Sequence, residues 1–496
     1  MNELLIHLNA GGKTAFYEQI YESVKQDIVD GRLSRGERLP SARGLAADLQ
    51  ISRSTVDAAY AQLVSEGYLT AKRGSGYYVC DITALYHFTD SGSARRHKHG
   101  LPAGQAGGRA AGGGTQSGGV SSGGGLPFHF LPGQVDADSF AYNAWCKCSK
   151  ETLLELEARG TLLQAGDPQG EYELRRTIAA YLYRARGVRC VPEQLVIGAG
   201  NEYLLQLLAQ ILGKPRVAAM ESPTYLQAYH TFCKIGYQVR AVAMDADGMR
   251  VDELSQTDAA LAYVMPSHQF PLGCVMPLGR RLQLLSWAAQ YPSRYVIEDD
   301  HDSEFRYKGK PIPSLQGMAQ EERVIYMGTF SNSIMPSIRI SYLVLPMHLV
   351  RNYHASCGFY ASTVSKIQQM TVCRFMEEGH FERHLNKMRG VYKAKHDTLL
   401  QMLKAKPWVH KIYGDYAGLH IAVEVRGDLS EEEMIRKAEK RGLRITGMNR
   451  CYITGQEKKA QYPVLLLGFG NLSKEQIVQG VELLDCCIKE NQHTVK

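Results

Sequence analysis

Nowhere in this chain do eighteen apolar residues run together, so no segment reads as a membrane-spanning helix. The N-terminus has no basic stretch leading into a short apolar run, so no secretory leader is expected. The 11 cysteines are scattered, with one C-x-C (Cys146, Cys148) and one adjacent pair (Cys486, Cys487). Neither spacing matches a C-x₂-C zinc site or a redox C-x-x-C, so no metal is expected, and thiols without a pairing pattern suit a bacterial cytosol. There is little charge of one sign: 57 Lys and Arg face 50 Asp and Glu, a net charge of +7. Residues 1–80 carry nine of each, so any nucleic-acid argument rests on where charges fall and not on their sum. No internal repeat is present.

What is there is enough for several globular units. A chain of 496 residues is long for one domain, and its hydrophobic content of 44% supports a large core. Composition divides it. Residues 14–80 form a compact helix-and-turn pattern. Residues 103–125 hold eleven glycines among Ser, Ala and Gln, too little apolar surface to order the segment, so 81–126 reads as a flexible linker. As a random coil it spans roughly 35–40 Å. The basic cluster Arg95–His99 inside it reads as a solvated run. From 127 to 490, short β-rich runs (Val217–Met220, Ala262–Met265, Tyr295–Ile297, Val324–Met327) alternate with helical stretches such as Glu202–Leu212 and Arg280–Ala289. That alternation implies a doubly wound, mostly parallel sheet, whose ligands bind beyond the strands' carboxyl ends.

In the N-terminal unit, Leu39–Leu49 reads as a short helix with Ser41 at its N-cap. The turn Gln50-Ile51-Ser52 leads to a second helix whose apolar positions Val56, Ala59, Tyr60, Leu63 and Val64 keep helical spacing. Ser52 caps it, leaving Arg53, Ser54 and Thr55 on the first turn, where a recognition helix meets base edges and phosphates. Glu66–Val79 then reads as two short strands around a glycine-flanked basic tip. Together, L-P-S-x-R, S-R-x-T-V and G-x-G-Y resemble the GntR-type winged helix-turn-helix. The resemblance implies contact with double-stranded operator DNA through Arg43, Ser52, Arg53, Ser54, Thr55, Arg73 and Gly74.

The body carries Gln164-Ala-Gly-Asp-Pro-Gln-Gly-Glu-Tyr-Glu-Leu-Arg-Arg176, Val196–Glu202, Glu221-Ser-Pro-Thr-Tyr225, Pro266-Ser-His-Gln-Phe-Pro-Leu-Gly273, Ile297–Tyr307 and Gly328–Arg339. These are similar to class I/II aminotransferases. With the head and linker, the chain resembles the MocR subfamily of GntR-type regulators. The expected fold is therefore an N-terminal winged helix-turn-helix plus an α/β fold-type I aminotransferase-like domain, with a large doubly wound part and a small α/β C-terminal subdomain. The resemblance implies a pyridoxal 5'-phosphate (PLP) pocket. In it, Gly200 and Asn201 open a helix that can face a phosphate, with Ser331 and Arg339 at the same group. Tyr225 offers a ring face, Asp299 would keep the pyridine nitrogen protonated, and His268 completes the set. Arg450, or Arg444 as the alternative, matches the clamp for an effector carboxylate.

Two positions depart from that family. Asn332 stands where the Schiff-base lysine is expected, and His301 where tyrosine is usual. An amide neither condenses with an aldehyde nor shuttles a proton, and positioned acid–base groups supply about 10²–10⁴ in rate. Lys308 and Lys310 fall in what reads as a surface loop and do not replace the missing lysine. Three readings stay open: PLP, pyridoxamine phosphate or an amine–PLP adduct held without a covalent link; a different ligand or none; or Asn332 as an introduced substitution. The expectation is a cytoplasmic DNA-binding regulator, a head-to-tail homodimer that senses a small-molecule effector and has no membrane partner. The competing expectation is a working aminotransferase fused to a DNA-binding head.

Overall fold

The computed structural model describes residues 6, 15–72, 76–80, 128–213, 216–307, 313–453 and 461–489. The expected linker 81–126, the wing residues Arg73 and Gly74, and Lys308 and Lys310 lie outside them.

The head consists of α1 (Phe16–Val29), α2 (Ala42–Asp48), α3 (Arg53–Ser65) and the antiparallel pair β1 (Leu69–Lys72) and β2 (Gly76–Val79). Capping sets where its helices begin: Ser41 Oγ accepts from Gly44 N at 3.0 Å, and Ser52 Oγ from Thr55 N at 3.3 Å. Between them, Gln50 takes a left-handed φ of 53° to turn the chain. The inward faces of α1 and α3 (Ile20, Val24, Val56, Ala59, Tyr60, Leu63) meet in one small core with Leu45 of α2.

The body begins with β3 (Phe128–His129), α4 (Tyr142–Ala158) and α5 (Tyr172–Arg186). Then follow β4 (Leu195–Gly198), α6 (Asn201–Leu212), β5 (Val217–Ser222), β6 (Gln238–Asp245), β7 (Gly248–Met249), β8 (Leu261–Val264), β9 (Tyr295–Asp300), β10 (Val324–Thr329) and β11 (Ser341–Val344). These eight strands form one sheet in the order β4-β11-β10-β9-β8-β5-β6-β7. The neighbours β10, β9, β8, β5 and β6 run parallel, while β11 is antiparallel to both β10 and β4. Helices cover both faces because the strands are apolar on both. Ile325 and Met327 pack with α6, and Tyr326 between them packs with α5.

The same two-residue alternation sorts three consecutive acids on β9. Glu298 and Asp300 share one face and Asp299 has the other. Glu298 accepts from Leu315 N and Gln316 N at 2.8 and 2.9 Å, holding the start of the helix Leu315–Met318. Asp300 accepts from Arg186 Nε at 2.7 Å and Tyr326 Oη at 2.6 Å. Burial would raise the pKa of Asp300, but the Arg186 charge and the Tyr326 bond hold it below the usual carboxylate value. Asp299 faces the pocket.

The C-terminal part is a second, antiparallel sheet of β12 (Val409–Tyr413), β13 (His420–Val425), β15 (Thr446–Gly447) and β16 (Val464–Gly468), ordered β12-β13-β16-β15. The short β14 (Leu443–Arg444) pairs in parallel with β3, tying the start of the body to this subdomain. The head touches the body where Leu278 N donates to Glu66 O at 2.8 Å. Leu278 also packs on the head's core. Gly67, at φ +81°, permits that approach, since a Cβ there would lie 3.0 Å from Leu278 N.

Candidate functional site

On the head, the first turn of α3 presents Ser52, Arg53 and Ser54 to solvent, with Thr55 half-buried behind them and Arg43 exposed on α2. The three hydroxyls are linked: Ser52 Oγ lies 2.9 Å from Ser54 Oγ and 2.8 Å from Thr55 Oγ1. Arg53 rests on Asp57 at 3.2 Å, an exposed pair that is cheaply broken when a stronger anion arrives. Two further cations were missed by sequence reasoning. Arg38 bridges to Tyr78 of the wing, and the Lys72 ammonium sits 4.9 Å from the Tyr78 ring centroid, so both stand beside the wing. Lys72 ends the strand that leads to the basic tip, whereas Arg38 gives no local signal, since it reaches Tyr78 only by a long-range bridge.

In the body, the polar ends of β5, β8, β9 and β10 converge because those strands are lateral neighbours. Asp299 is 3% exposed at the end of β9. Tyr263 of β8 donates its hydroxyl to Asp299 Oδ2, and Asn201 Nδ2 lies 3.3 Å from Oδ1. Both partners are neutral. Burial raises the Asp299 pKa to about 6, against the pull of His301 and of these two bonds. Such a carboxylate, ionised at neutral pH and hydrogen-bonded only to neutral groups among the described residues, is suited to receive a cationic N–H. Tyr263 was passed over as a strand residue in an apolar run. It pairs with Ile297, which shares a face with Asp299, so the parallel register carries the signal.

The start of α6 gathers groups that could face an anion. Gly200, at φ +96°, precedes α6, and a Cβ there would lie 2.1 Å from Arg339 Nη2. The guanidinium therefore lies directly against the helix's opening backbone. Arg339 itself adopts φ 49° after the turn Pro336–Ile338, which aims it back toward α6. Ser331 joins a hydroxyl chain: Ser341 Oγ donates to Thr329 Oγ1 at 2.9 Å, and Thr329 Oγ1 to Ser331 Oγ at 3.0 Å. Glu202, which sequence reasoning did not single out, accepts from Arg339 Nη2 at 3.0 Å and from Tyr225 Oη at 3.4 Å. Its carboxylate thus holds Arg339 much as an incoming anion would. Asn201 Oδ1 is buried with no hydrogen-bond partner among the described residues, an unmet acceptor at the same helix start. The Tyr225 ring meets Phe270 edge-on, with centroids 6.1 Å apart.

Asn332 lies beside the third group. Its Nδ2 donates to the His301 carbonyl oxygen at 3.1 Å. His301 Nε2 is 3.3 Å from Asp302 Oδ1, and His268 Nδ1 is 2.9 Å from the same atom. Burial lowers the His301 pKa, but the carboxylates of Asp302, Asp299 and Asp300 outweigh it and leave the imidazole above its usual value. His268 is fully interior, pressed against Gly273 and Gly418, and so sits behind His301. Arg450 is exposed on a short turn, with Nη1 donating to Thr446 Oγ1 at 3.1 Å. The next residue accepts at its carbonyl from Thr224 N at 2.8 Å, so this turn borders the loop that carries Tyr225. Arg444 lies apart, on the strand paired with β3.

Residues 16–79 match the model of bacterial regulatory proteins of the gntR family, and residues 135–456 match aminotransferase class I and II. An HTH-type transcriptional regulator of Bacillus subtilis, YdeL, is 38% identical across 95% of this chain and 96% of its own length. The probable rhizopine catabolism regulatory protein MocR of Rhizobium meliloti is 28% identical across 97% of this chain and 95% of its own. Among solved structures, the α-aminoadipate aminotransferase LysN of Thermus thermophilus, complexed with N-(5'-phosphopyridoxyl)-L-leucine, superposes with a TM-score of 0.65. It is 26% identical over 74% of this chain and 93% of that one. Among the described residues, no helix is long and apolar enough to cross a membrane.

Proposed function

Because the chain belongs to the GntR-type transcriptional regulators with an aminotransferase class I/II body, the MocR group, we propose that its body senses a vitamin B6 phosphate or an amine adduct of one, bound without a covalent link. The observation that carries this reading is an amide, Asn332, set among polar groups that suit the two ends of such a ligand. Asp299 waits at one end, Arg339 and the start of α6 at the other, and Asn332 spends its amide on the His301 carbonyl.

The residues fit such a group. Asp299 would accept the ring N–H, Tyr225 would cover the ring, and Ser331, Arg339 and the backbone at Gly200 and Asn201 would hold the phosphate. His301 takes the place of a ring-hydroxyl partner, with His268 fixing it through Asp302. When bound, PLP would supply an electron-poor ring and an aldehyde able to condense reversibly with a primary amine, while pyridoxamine phosphate would supply the ring alone. Arg450, beside the Tyr225 loop, would hold the carboxylate of an amino-acid effector. Without a lysine at 332, the pocket has no group there to attach the ring or carry its proton, so it reports occupancy and does not turn over.

On the head, Arg43, Ser52, Arg53, Ser54 and Thr55 would contact the operator, together with Arg73 and Gly74. Two heads require a dimer. Leu163 and Phe359, 97% and 77% exposed, with Leu153 and Leu154 on α4, offer apolar surface for one. Residues 81–126 join each head to its body, and each head would cross to its partner. Effector binding shifts the heads only if the ligand prefers one arrangement of the domains.

Native mass spectrometry of the full chain, with PLP and pyridoxamine phosphate offered, tests this reading. A dimer carrying vitamer that leaves on denaturation, even after borohydride treatment, supports it. A borohydride-stable pyridoxyl adduct would favour the enzyme, and absence of vitamer binding would end the proposal.

A further inference from the structure

The two histidines and the acid beside Asn332 bring three side chains with metal-ligating atoms together. Donor atoms of His268, His301 and Asp302 all lie within 4.8 Å of one another. The 3.3 Å from His301 Nε2 to Asp302 Oδ1 matches an edge of a coordination polyhedron, and the 2.9 Å from His268 Nδ1 to the same atom falls just short of one. Ligands about 2.0–2.2 Å from one ion at tetrahedral or octahedral angles stand roughly 3.0–3.5 Å apart. The set is two imidazoles and one carboxylate, the combination that suits divalent zinc, iron or cobalt with positions left open.

Three features favour a ligand there over a plain hydrogen-bonded trio. The group is interior but not closed: the side chains of His268 and Asp302 are 1% and 4% exposed, while that of His301 is 20% exposed. His268 Nε2 is buried with no hydrogen-bond partner among the described residues, so nothing at that nitrogen holds the ring in one tautomer. The tautomer with its proton on Nε2 leaves Nδ1 as a lone-pair donor aimed at Asp302. The ring is also held rigidly. Gly418 (φ +80°) packs on it so closely that a Cβ would fall 2.0 Å from Cε1. A neighbouring ring, His420, has its centroid 5.5 Å from that of His268 and its Nε2 tied to Pro271 O at 2.9 Å, outside the trio.

We propose that His268, His301 and Asp302 bind a divalent first-row transition-metal ion, with open coordination positions on the His301 side. The ion would stand where the chain departs from the tyrosine of its family. The inference does not depend on whether a vitamer binds, since all three ligands are protein groups.

The test is Co²⁺ binding to the chelator-treated full-length chain, read by metal analysis and by the visible absorption of the ion. A second group, Cys148, Glu378 and His380, also brings donors within 4.8 Å, and several cysteines are exposed, so the ligand type must be identified. Stoichiometric Co²⁺ with nitrogen and oxygen ligands, and without the near-ultraviolet thiolate charge-transfer band, is expected. His301→Tyr and His268→Gln should each lower the affinity at least a hundredfold, while Cys148→Ser and His380→Gln leave it unchanged. His301→Tyr alters a partly exposed side chain, so circular dichroism should show it folded even if the buried variant is not. Absence of Co²⁺ binding, thiolate bands, or unchanged affinity in folded His301→Tyr would each overturn the proposal.

Discussion

Replacing Asp299 by Asn should make the ligand-free protein more stable and the pocket less able to bind. The carboxylate is interior, its hydrogen-bond partners Tyr263 and Asn201 are neutral, and its pKa rises from 3.8 to about 6. That difference is about 3 kcal/mol of unfavourable burial at neutral pH. The amide is isosteric and uncharged, and loses about 1 kcal/mol in one poorly matched hydrogen bond. A net gain of about 2 kcal/mol follows, a few degrees in the thermal midpoint of the body.

The pH dependence has a definite sign. A carboxyl with a raised folded pKa adds no cost when protonated in both states, and its cost develops as pH rises from about 4 to about 6. The advantage of Asp299→Asn is therefore full above pH 6 and absent below pH 4. Calorimetric or fluorescence melting at pH 7 and pH 4 measures it. The same variant should weaken vitamer-phosphate binding at least tenfold, since a charged partner contributes about 1.5–3 kcal/mol to a hydrogen bond. A variant less stable than wild type at pH 7, by a margin that persists at pH 4, would show that Asp299 is a well-compensated structural acid.

Other perturbations separate the remaining parts. Arg186→Met strands the buried Asp300 and should cost about 3–5 kcal/mol in denaturant unfolding; a loss under 1 kcal/mol would contradict the assigned pair. Gly200→Ala puts a methyl 2.1 Å from Arg339 Nη2 and should weaken binding of vitamer phosphate by calorimetry, with operator affinity as the unaffected control. Glu202→Gln removes the internal anion from an exposed pair worth about 0.2–1 kcal/mol, so phosphate ligands should bind up to about fivefold more tightly, and weaker binding would reverse the role given to Glu202. Arg53→Ala should cost about 1–3 kcal/mol against a cognate operator in fluorescence anisotropy and little against unrelated DNA, whereas equal losses on both would make Arg53 a phosphate contact.

The helix-turn-helix was readable because its determinants are local: a serine cap before each helix and apolar residues at i, i+3, i+4 and i+7. The gathering of polar strand ends was readable for a different reason. Its groups end strands that the parallel winding makes neighbours, so order along the chain becomes proximity in space. Glu202 escaped because its two partners, Arg339 and Tyr225, come from other elements, and helix-start reasoning considers anions arriving from outside. The His268–Asp302–His301 group has no spacing signal, since its histidines come from separate strand ends and meet only through Asp302. Tyr263 looked like core, and in an apolar strand most tyrosines are.

The run Glu298-Asp299-Asp300 sets the phase of the whole pocket. Glu298 is clamped by the amides of Leu315 and Gln316, and Asp300 by Arg186 and Tyr326. Slippage by one residue would send all three acids to the wrong side and break both clamps together. Asp299 is thus located like a tooth between two pins, by flanking residues that never meet a ligand. Drift at a binding site usually begins with the groups that touch the guest. Here the pins can stay in force for the sake of the fold, and hold the aim of the central acid while the lysine position and its neighbours are free to change.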